Sequence, residues 1–306
     1  MSKNTLIRAL SRDGYVDVIA ADSTAMVEEA RRIHSTRPTA TAALGRLLTA
    51  ASMMGSDLKS DDASVTLRVK GSGEIGTILC TADRTASARG TVANPLCDPP
   101  RKPSGKLDVG AAVGNDGTLE VIRDLGFGEP YAGRVPLVSG EIAEDLTSYF
   151  FRSEQTPTVL GLGVLTESER VLAAGGYLIR LLPGAPDRVI DELERCAPLF
   201  VPVTELLSGG AGPEEIVKLL LPGFDMEILP DSKREVAYRC RCSRERVARA
   251  LISMGQKELF RFAEECREEP AEIKCEFCTK KYVFTSGDLL ALARSARSED
   301  GSGEEG

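Results

Sequence analysis

Tyr238-Arg-Cys-Arg-Cys-Ser243 and Lys274-Cys-Glu-Phe-Cys-Thr279 put two tight thiol pairs, Cys240-x-Cys242 and Cys275-x-x-Cys278, at either end of a spacer of 32 residues. Each pair offers two thiols from one turn. Two such turns close a tetrahedral shell around zinc, which has no redox chemistry of its own and accepts sulfur readily. A shell filled by four sulfurs leaves no position for water, which argues against a catalytic zinc. Binding requires the four thiols to be deprotonated, for a local charge of about −2 with the ion in place. Arg239, Arg241, Arg244, Arg246 and Arg249 are near enough in sequence to offset it, and the same arginines offer themselves to phosphates.

The spacer reads as two helices. Ser243 is a candidate N-cap, Val247, Leu251 and Met254 form an apolar stripe, Gly255 interrupts, and Leu259, Phe260 and Ala263 continue. Tyr282-Val-Phe284 has the character of a short strand, and Asp288 to Ala293 of a last helix. Cys266 is expected as a buried helix residue and not a fifth ligand. The unit so defined, 233–292, has few large apolar residues, and domains of that size usually need a staple. Structural zinc supplies about 10 to 16 kcal/mol of apparent binding energy, against roughly 5 to 15 kcal/mol for the stability of a whole domain. Removing the metal is therefore expected to unfold the unit. The plainer alternative is a permanent structural zinc module; against it, four sulfurs without histidine make a site wholly open to oxidation.

The whole chain has 306 residues, 42% hydrophobic and 27% charged, enough for about two globular domains. Its net charge of −8, lack of Trp and 5% aromatic content argue against a duplex-coating protein or a broad base-stacking platform. Histidine occurs once, at His34. That excludes any two-imidazole zinc hydrolase, and beside Arg31 and Arg32 the residue reads as a surface or interface group, so no catalytic residue is assigned. No run approaches the roughly 18 to 20 apolar residues of a membrane span, and Met1 to Ile7 lacks an export signal. A cytoplasmic protein is expected, in which paired thiols favour metal or redox chemistry over a disulfide framework.

Upstream, Leu6 to Ala20 has β-type segments around Asp13-Gly14, a hairpin dipeptide. A helix should follow, capped by Ser23 or Thr24 and bearing Met26, Val27, Ala30 and Ile33 on one side. A second, opened by Pro38, carries Ala42, Ala43, Leu47 and Met54 and stops near Gly55. Val65 to Val69, Thr77 to Cys80 and Leu119 to Ile122 alternate as strands, Asn115-Asp116-Gly117 signals another hairpin, and Ile142 to Phe151 returns to helix. Gly71-Ser-Gly73-Glu-Ile-Gly76 matches a dinucleotide fingerprint, but the β-branched segment after it cannot supply the helix that motif needs, so a turn between strands is expected. This is an α+β domain over 1–182, mostly antiparallel. Between Pro183 and Pro230 breakers leave only short amphipathic pieces, Arg188 to Ala197 and Pro213 to Leu221, which fold only when docked. The region 183–232 is thus either an ordinary helical connector or a conditional element. Residues 293–306 form an acidic tail with no apolar face, expected to be disordered.

The cysteine pairs, Cys275-Glu-Phe-Cys278 and Tyr282-Val-Phe284 resemble the zinc switch of the heat-shock protein 33 family, the 33 kDa chaperonins. Similar segments occur in the same order through the chain: Thr39-Ala-Thr-Ala-Ala-Leu-Gly-Arg46, Lys70-Gly-Ser-Gly-Glu-Ile-Gly76, Tyr149-Phe-Phe-Arg-Ser-Glu-Gln155 and Ala174-Gly-Gly-Tyr177. The sequence departs with Thr91 after Arg89-Gly90, where the family often has Tyr, and with Arg180 where Gln is common. The resemblance implies an ATP-independent holdase, inactive when reduced and zinc-bound. Oxidants would switch it on, with disulfides Cys240–Cys242 and Cys275–Cys278, dimerisation of the active form and unfolding proteins as clients. Energetically, zinc loss would melt the small unit, deprive the middle region of its docking partner and bare apolar surface. The competing function is a zinc module that binds RNA or DNA through Arg239 to Arg249. Residues 231–290 hold 13 Lys and Arg against 11 Asp and Glu; the metal site brings the sum to about zero, which makes phosphate attraction weak.

Overall fold

The computed structural model describes residues 4–299 except 168. In chain order the elements are β1 (Thr5–Ser11), β2 (Val16–Asp22), α1 (Thr24–His34), α2 (Pro38–Ser56), β3 (Ser64–Lys70), β4 (Thr77–Asp83), β5 (Ser87–Val92), α3 (Val109–Val113), β6 (Thr118–Asp124), β7 (Tyr131–Pro136), α4 (Ala143–Ser153), β8 (Thr158–Glu167) and β9 (Arg170–Leu181). Then follow α5 (Asp187–Cys196), α6 (Val203–Ser208), α7 (Pro213–Leu220), β10 (Met226–Ile228), β11 (Arg234–Glu235), β12 (Ala237–Tyr238), α8 (Arg244–Ile252), α9 (Gln256–Glu265), β13 (Ala271–Lys274), β14 (Lys281–Phe284) and α10 (Ser286–Glu299). They form two compact units, one reaching Arg239 and one beginning at Cys240. The fold class is α+β.

Two sheets build the first unit, ordered β10-β1-β2-β9-β8 and β12-β5-β4-β3-β6-β7. The expected hairpin joins β1 to β2, with Gly14 at φ +79°, and the glycine-rich fingerprint is the turn from β3 to β4. Helix α2 starts at Pro38 and is buried on nearly every side, which explains its alanines: both sheets pack against it at close range. The helix runs one residue past Gly55, to Ser56. A Cβ on Gly55 would lie 2.7 Å from the Asp83 carbonyl oxygen, so the glycine admits β4 to the helix. Neither Ser23 nor Thr24 caps α1 with its side chain; Asp22 does that work, accepting the Thr24 N–H at 3.0 Å. Asn115-Asp116-Gly117 joins the short α3, not a strand, to β6.

The first sheet is covered on both faces. In β2, Ile19 and Ala21 face α2, whereas Val16, Val18 and Ala20 face a second core made with Val189, Leu193, Ile216, Val217 and Leu220 of α5 and α7. The docking partner of the breaker-rich region is therefore this sheet, a correction to the expectation that it leans on the cysteine unit, and 183–232 packs within the first unit. The chain then runs along sheet edges: β10 and β11 pair antiparallel with β1, and β12 pairs parallel with β5. Residues 233–239 thus belong to the first unit and not to the cysteine unit that was taken to start at 233.

Arg180, the departure noted above, is largely buried and bridges Asp17 and Asp57, its Nε lying 2.9 Å from Asp17 Oδ2. Arg8 reaches the same two carboxylates at 2.5 and 3.1 Å. The ions tie β1, β2 and β9 to the end of α2. Downstream, α10 continues to Glu299, so the expected tail from 293 begins as helix with Ala293 fully buried; 300–306 lie outside the described residues.

Truncating Ile216, fully buried between α7 and the sheet, removes apolar contact from a short helix. Ile216→Ala is expected to cost about 2 to 4 kcal/mol and to speed protease cutting between Pro183 and Pro230 in the reduced protein; urea unfolding and mapped limited proteolysis measure both.

Candidate metal centre

The second unit brings the two thiol pairs together from non-adjacent elements. Cys240 and Cys242 lie between β12 and α8, where the Ser243 hydroxyl caps the helix by accepting the Arg246 N–H at 3.2 Å. Cys275 and Cys278 occupy the tip of the β13–β14 hairpin. Its register pairs Lys274 with Lys281, and the Cys275 N–H donates to the Lys280 carbonyl at 2.9 Å. Thr279 takes φ +60° and its N–H donates to the Cys275 carbonyl at 2.8 Å, which folds the tip into a tight turn. Strand β13 had no counterpart in the sequence reading.

The four Sγ atoms lie within 4.8 Å of one another. Cys240 to Cys275 is 3.7 Å and Cys242 to Cys278 is 3.3 Å, both across the two turns. A tetrahedron with metal–sulfur bonds of about 2.3 Å has edges near 3.8 Å, so the spacing matches a sulfur cage. All four thiols are free and partly exposed. The four cysteines are positioned to bind a metal ion. Cys266, following α9, packs partly buried against the unit's core and is not one of the quartet.

The protonation pattern has a physical cause. Burial pushes the Cys240 thiol well above its ordinary range, with its sulfur neighbours adding to the effect, and burial likewise raises Cys278. At Cys242 burial acts in the same direction but is outweighed by the hydrogen bond from the Tyr282 hydroxyl, 3.1 Å away, and by the neighbouring thiols, which bring it down to about 7. Without a cation Cys240 and Cys278 keep their protons at neutral pH. The sequence places Tyr282 in a strand and in the family resemblance, with no role at the sulfur cage. Its place four residues after Cys278, inward in an alternation of Tyr282 in, Val283 out and Phe284 in, is the signal that pointed to it.

The core around this site is small: Leu251, Leu259, Ala263, Ala271, Tyr282, Phe284, Leu289 and Ala293. Met254 and Phe260, expected in the apolar stripes, are 48% and 39% exposed, and Phe262 turns inward instead. Arg244, counted above among phosphate-binding candidates, is engaged with the Val283 carbonyl, with Asp288 at 3.0 Å and with the Phe284 ring at 4.2 Å. Arg239 pairs with Glu235 at 2.7 Å. His34 contacts the Tyr238 hydroxyl at 3.2 Å, and that hydroxyl donates to the Gly90 carbonyl at 2.8 Å, fastening β12 just ahead of Cys240.

A two-sheet α+β unit followed by a small unit with four convergent thiols defines a protein with a metal-binding appendage. A family model described as "Hsp33 protein" matches residues 4–285. The 33 kDa chaperonin of Clostridioides difficile is 45% identical over 95% of this chain and 99% of its own length, and that of Acetivibrio thermocellus is 45% identical over 96% and 98%. The crystal structure of the 33 kDa chaperonin (heat shock protein 33 homolog) from Thermotoga maritima superposes with a TM-score of 0.85 at 31% identity, covering 97% of this chain and all of that one. The chain belongs to the Hsp33 family. No helix among the described residues is long and apolar enough to cross a membrane.

Metal uptake must displace the protons held by Cys240 and Cys278, so affinity rises with pH and falls on acidification. Titration with zinc or cobalt between pH 5.5 and 8 is expected to weaken by more than about tenfold per unit lowered. Cys278→Ser should abolish tight uptake while leaving the first unit's urea transition in place.

Proposed function

We propose that the chain is a redox-switched, ATP-independent holdase that captures unfolding proteins. Cys240, Cys242, Cys275 and Cys278 hold one zinc ion in the reduced, resting state. The observation that carries this is the all-sulfur quartet in a unit with so small a core. Bound zinc supplies no redox chemistry; it neutralises the thiolates and cross-links the two turns. Oxidation joins Cys240 to Cys242 and Cys275 to Cys278, as the family resemblance implies, and each bond withdraws two ligands from the cage. The unit then loses the staple its few apolar residues cannot replace.

The consequence passes along the backbone. Residues 226–239 are held to the sheet edges by short pairings and continue directly into Cys240. Unfolding beyond that point leaves β12 and β11 to fray, and α5 to α7, each too short to persist undocked, are released next. Their departure bares Val16, Val18, Ala20 and Ile179, an apolar sheet face suited to unfolded chains. Dimerisation of the active form and a cytoplasmic site of action belong to the same proposal. The relatives are named chaperonins, in keeping with a protein that is not an enzyme. Nucleic-acid binding is not favoured, because Arg239 and Arg244 are committed to partners within the chain.

Light scattering of a heat-denatured client tests the proposal: the reduced protein should leave aggregation unchanged, and the peroxide-treated, warmed protein should suppress it as zinc appears in solution. Faster proteolysis between Pro183 and Pro230 should accompany activation. Equal suppression by both forms would indicate a constitutive chaperone, and tight, steeply salt-dependent RNA binding would favour the other function.

A further inference from the structure

Tyr282 lies opposite Ile273 in the β13–β14 hairpin, is 7% exposed, and shares the small core with Cys242. The Lys280 ammonium is 5.3 Å from the centre of its ring. Packing and the strand therefore fix the ring, and the hydroxyl is aimed at Cys242 Sγ from 3.1 Å. Packing needs the ring alone; the hydroxyl does something else. A donor directed at a sulfur that carries charge makes a stronger bond than one between neutral groups and draws electron density from the acceptor.

Building on the zinc-thiolate function above, we propose that Tyr282 is a positioning residue of the switch: its hydroxyl holds the Cys242 sulfur in the cage and restrains that sulfur's attack on an oxidant. With hydrogen peroxide, a thiolate lone pair forms an S–O bond, the O–O bond breaks and hydroxide leaves. The other thiolate of the same turn then forms the S–S bond as the S–O bond breaks, releasing a second hydroxide. Two sulfurs give up two electrons, one peroxide accepts them, and two protons complete two waters. The Tyr282 hydroxyl occupies electron density that Cys242 needs for either attack.

Tyr282→Phe removes the hydroxyl and keeps the ring, and 3-fluorotyrosine at the same position makes a stronger donor. Both are compared with the unaltered full-length chain in two measurements: zinc release under peroxide, followed with a chromogenic chelator, and the sulfur-to-cobalt charge-transfer absorption of cobalt-loaded protein without oxidant. The expected result is release about tenfold faster in Tyr282→Phe and slower with 3-fluorotyrosine, with charge-transfer bands displaced in opposite directions. A purely structural tyrosine gives no such opposed pair. Matching rates and superimposable spectra overturn the role of Tyr282 while leaving the switch intact. If Tyr282→Phe does not fold, the 3-fluorotyrosine protein decides alone, by the same two readings. An unaltered chain that takes up neither metal overturns the zinc function and this role together.

Discussion

Four sulfurs held within 4.8 Å of each other cannot all ionise unless a cation lies among them. Two like charges about 4 Å apart repel by roughly 4 kcal/mol even at an effective dielectric constant of 20, and the quartet contains several such pairs. The arrangement therefore has two consistent states, incompletely ionised without metal or fully ionised around it. Only the second would join the Cys240–Cys242 turn to the hairpin tip through all four sulfurs; otherwise the Tyr282 hydroxyl on Cys242 is a tie between them. The core beneath, with the rings of Tyr282, Phe284 and the partly buried Phe262 and a few aliphatic side chains, is of a size that usually needs a staple. On the proposed function, order across the second unit would depend on sulfur chemistry to a degree that no apolar contact in it matches.

What links that chemistry to the first unit is a stretch of chain with few other attachments. Strands β11 and β12 are two residues each, and the Tyr238 hydroxyl anchors the chain to the Gly90 carbonyl just ahead of Cys240. Helices α5 to α7 contribute one face each to the second core and have Gly and Pro at their ends. Stability in such a protein is graded, with short docked elements opening at lower free energy than the sheets beneath them.

The sequence spelled out the cysteine unit more fully than the rest because chemistry constrains it at fixed spacing. Two pairs of thiols, a Ser243 cap and the Tyr282-Val-Phe284 strand all fall where the sequence places them, since each depends on residues within one turn or one strand. The failures have a common cause in long-range packing. Strand β13 is four residues long and takes its shape from β14; β10 to β12 are shorter still and have no period to read. Met254 and Phe260 fit a helical stripe, yet the helix rotation is set by which face meets the small core, and Phe262 won. The docking surface of α5 and α7 was invisible for the same reason: an amphipathic face shows that something covers it, and only the sheet's second apolar face, where Val16, Val18 and Ala20 alternate with Asp17, Ile19 and Ala21, shows what. Because β2 is buried on both faces, its alternation is written in the kind of buried group and not in polarity.

In the proposed switch, the part that would stay folded is built differently from the part that would yield. Helix α2 is enclosed on nearly every side between two sheets, and Arg180 adds an ionic tie among Asp17, Asp57 and Arg8 on the face of the first sheet opposite α5 and α7. Breaking one partner of a buried ion cluster leaves an uncompensated charge, at a cost of about 3 to 5 kcal/mol, so the cluster resists piecemeal opening. It also lies on the side of the sheet that the departure of α5 to α7 does not touch. The same strands thus present an ion-braced face to α2 and, to the middle helices, the apolar face that the proposed switch would uncover. A sheet braced from behind can lose its cover without losing its shape, which is what a surface must do if it is to be hidden at rest and still flat and apolar when uncovered.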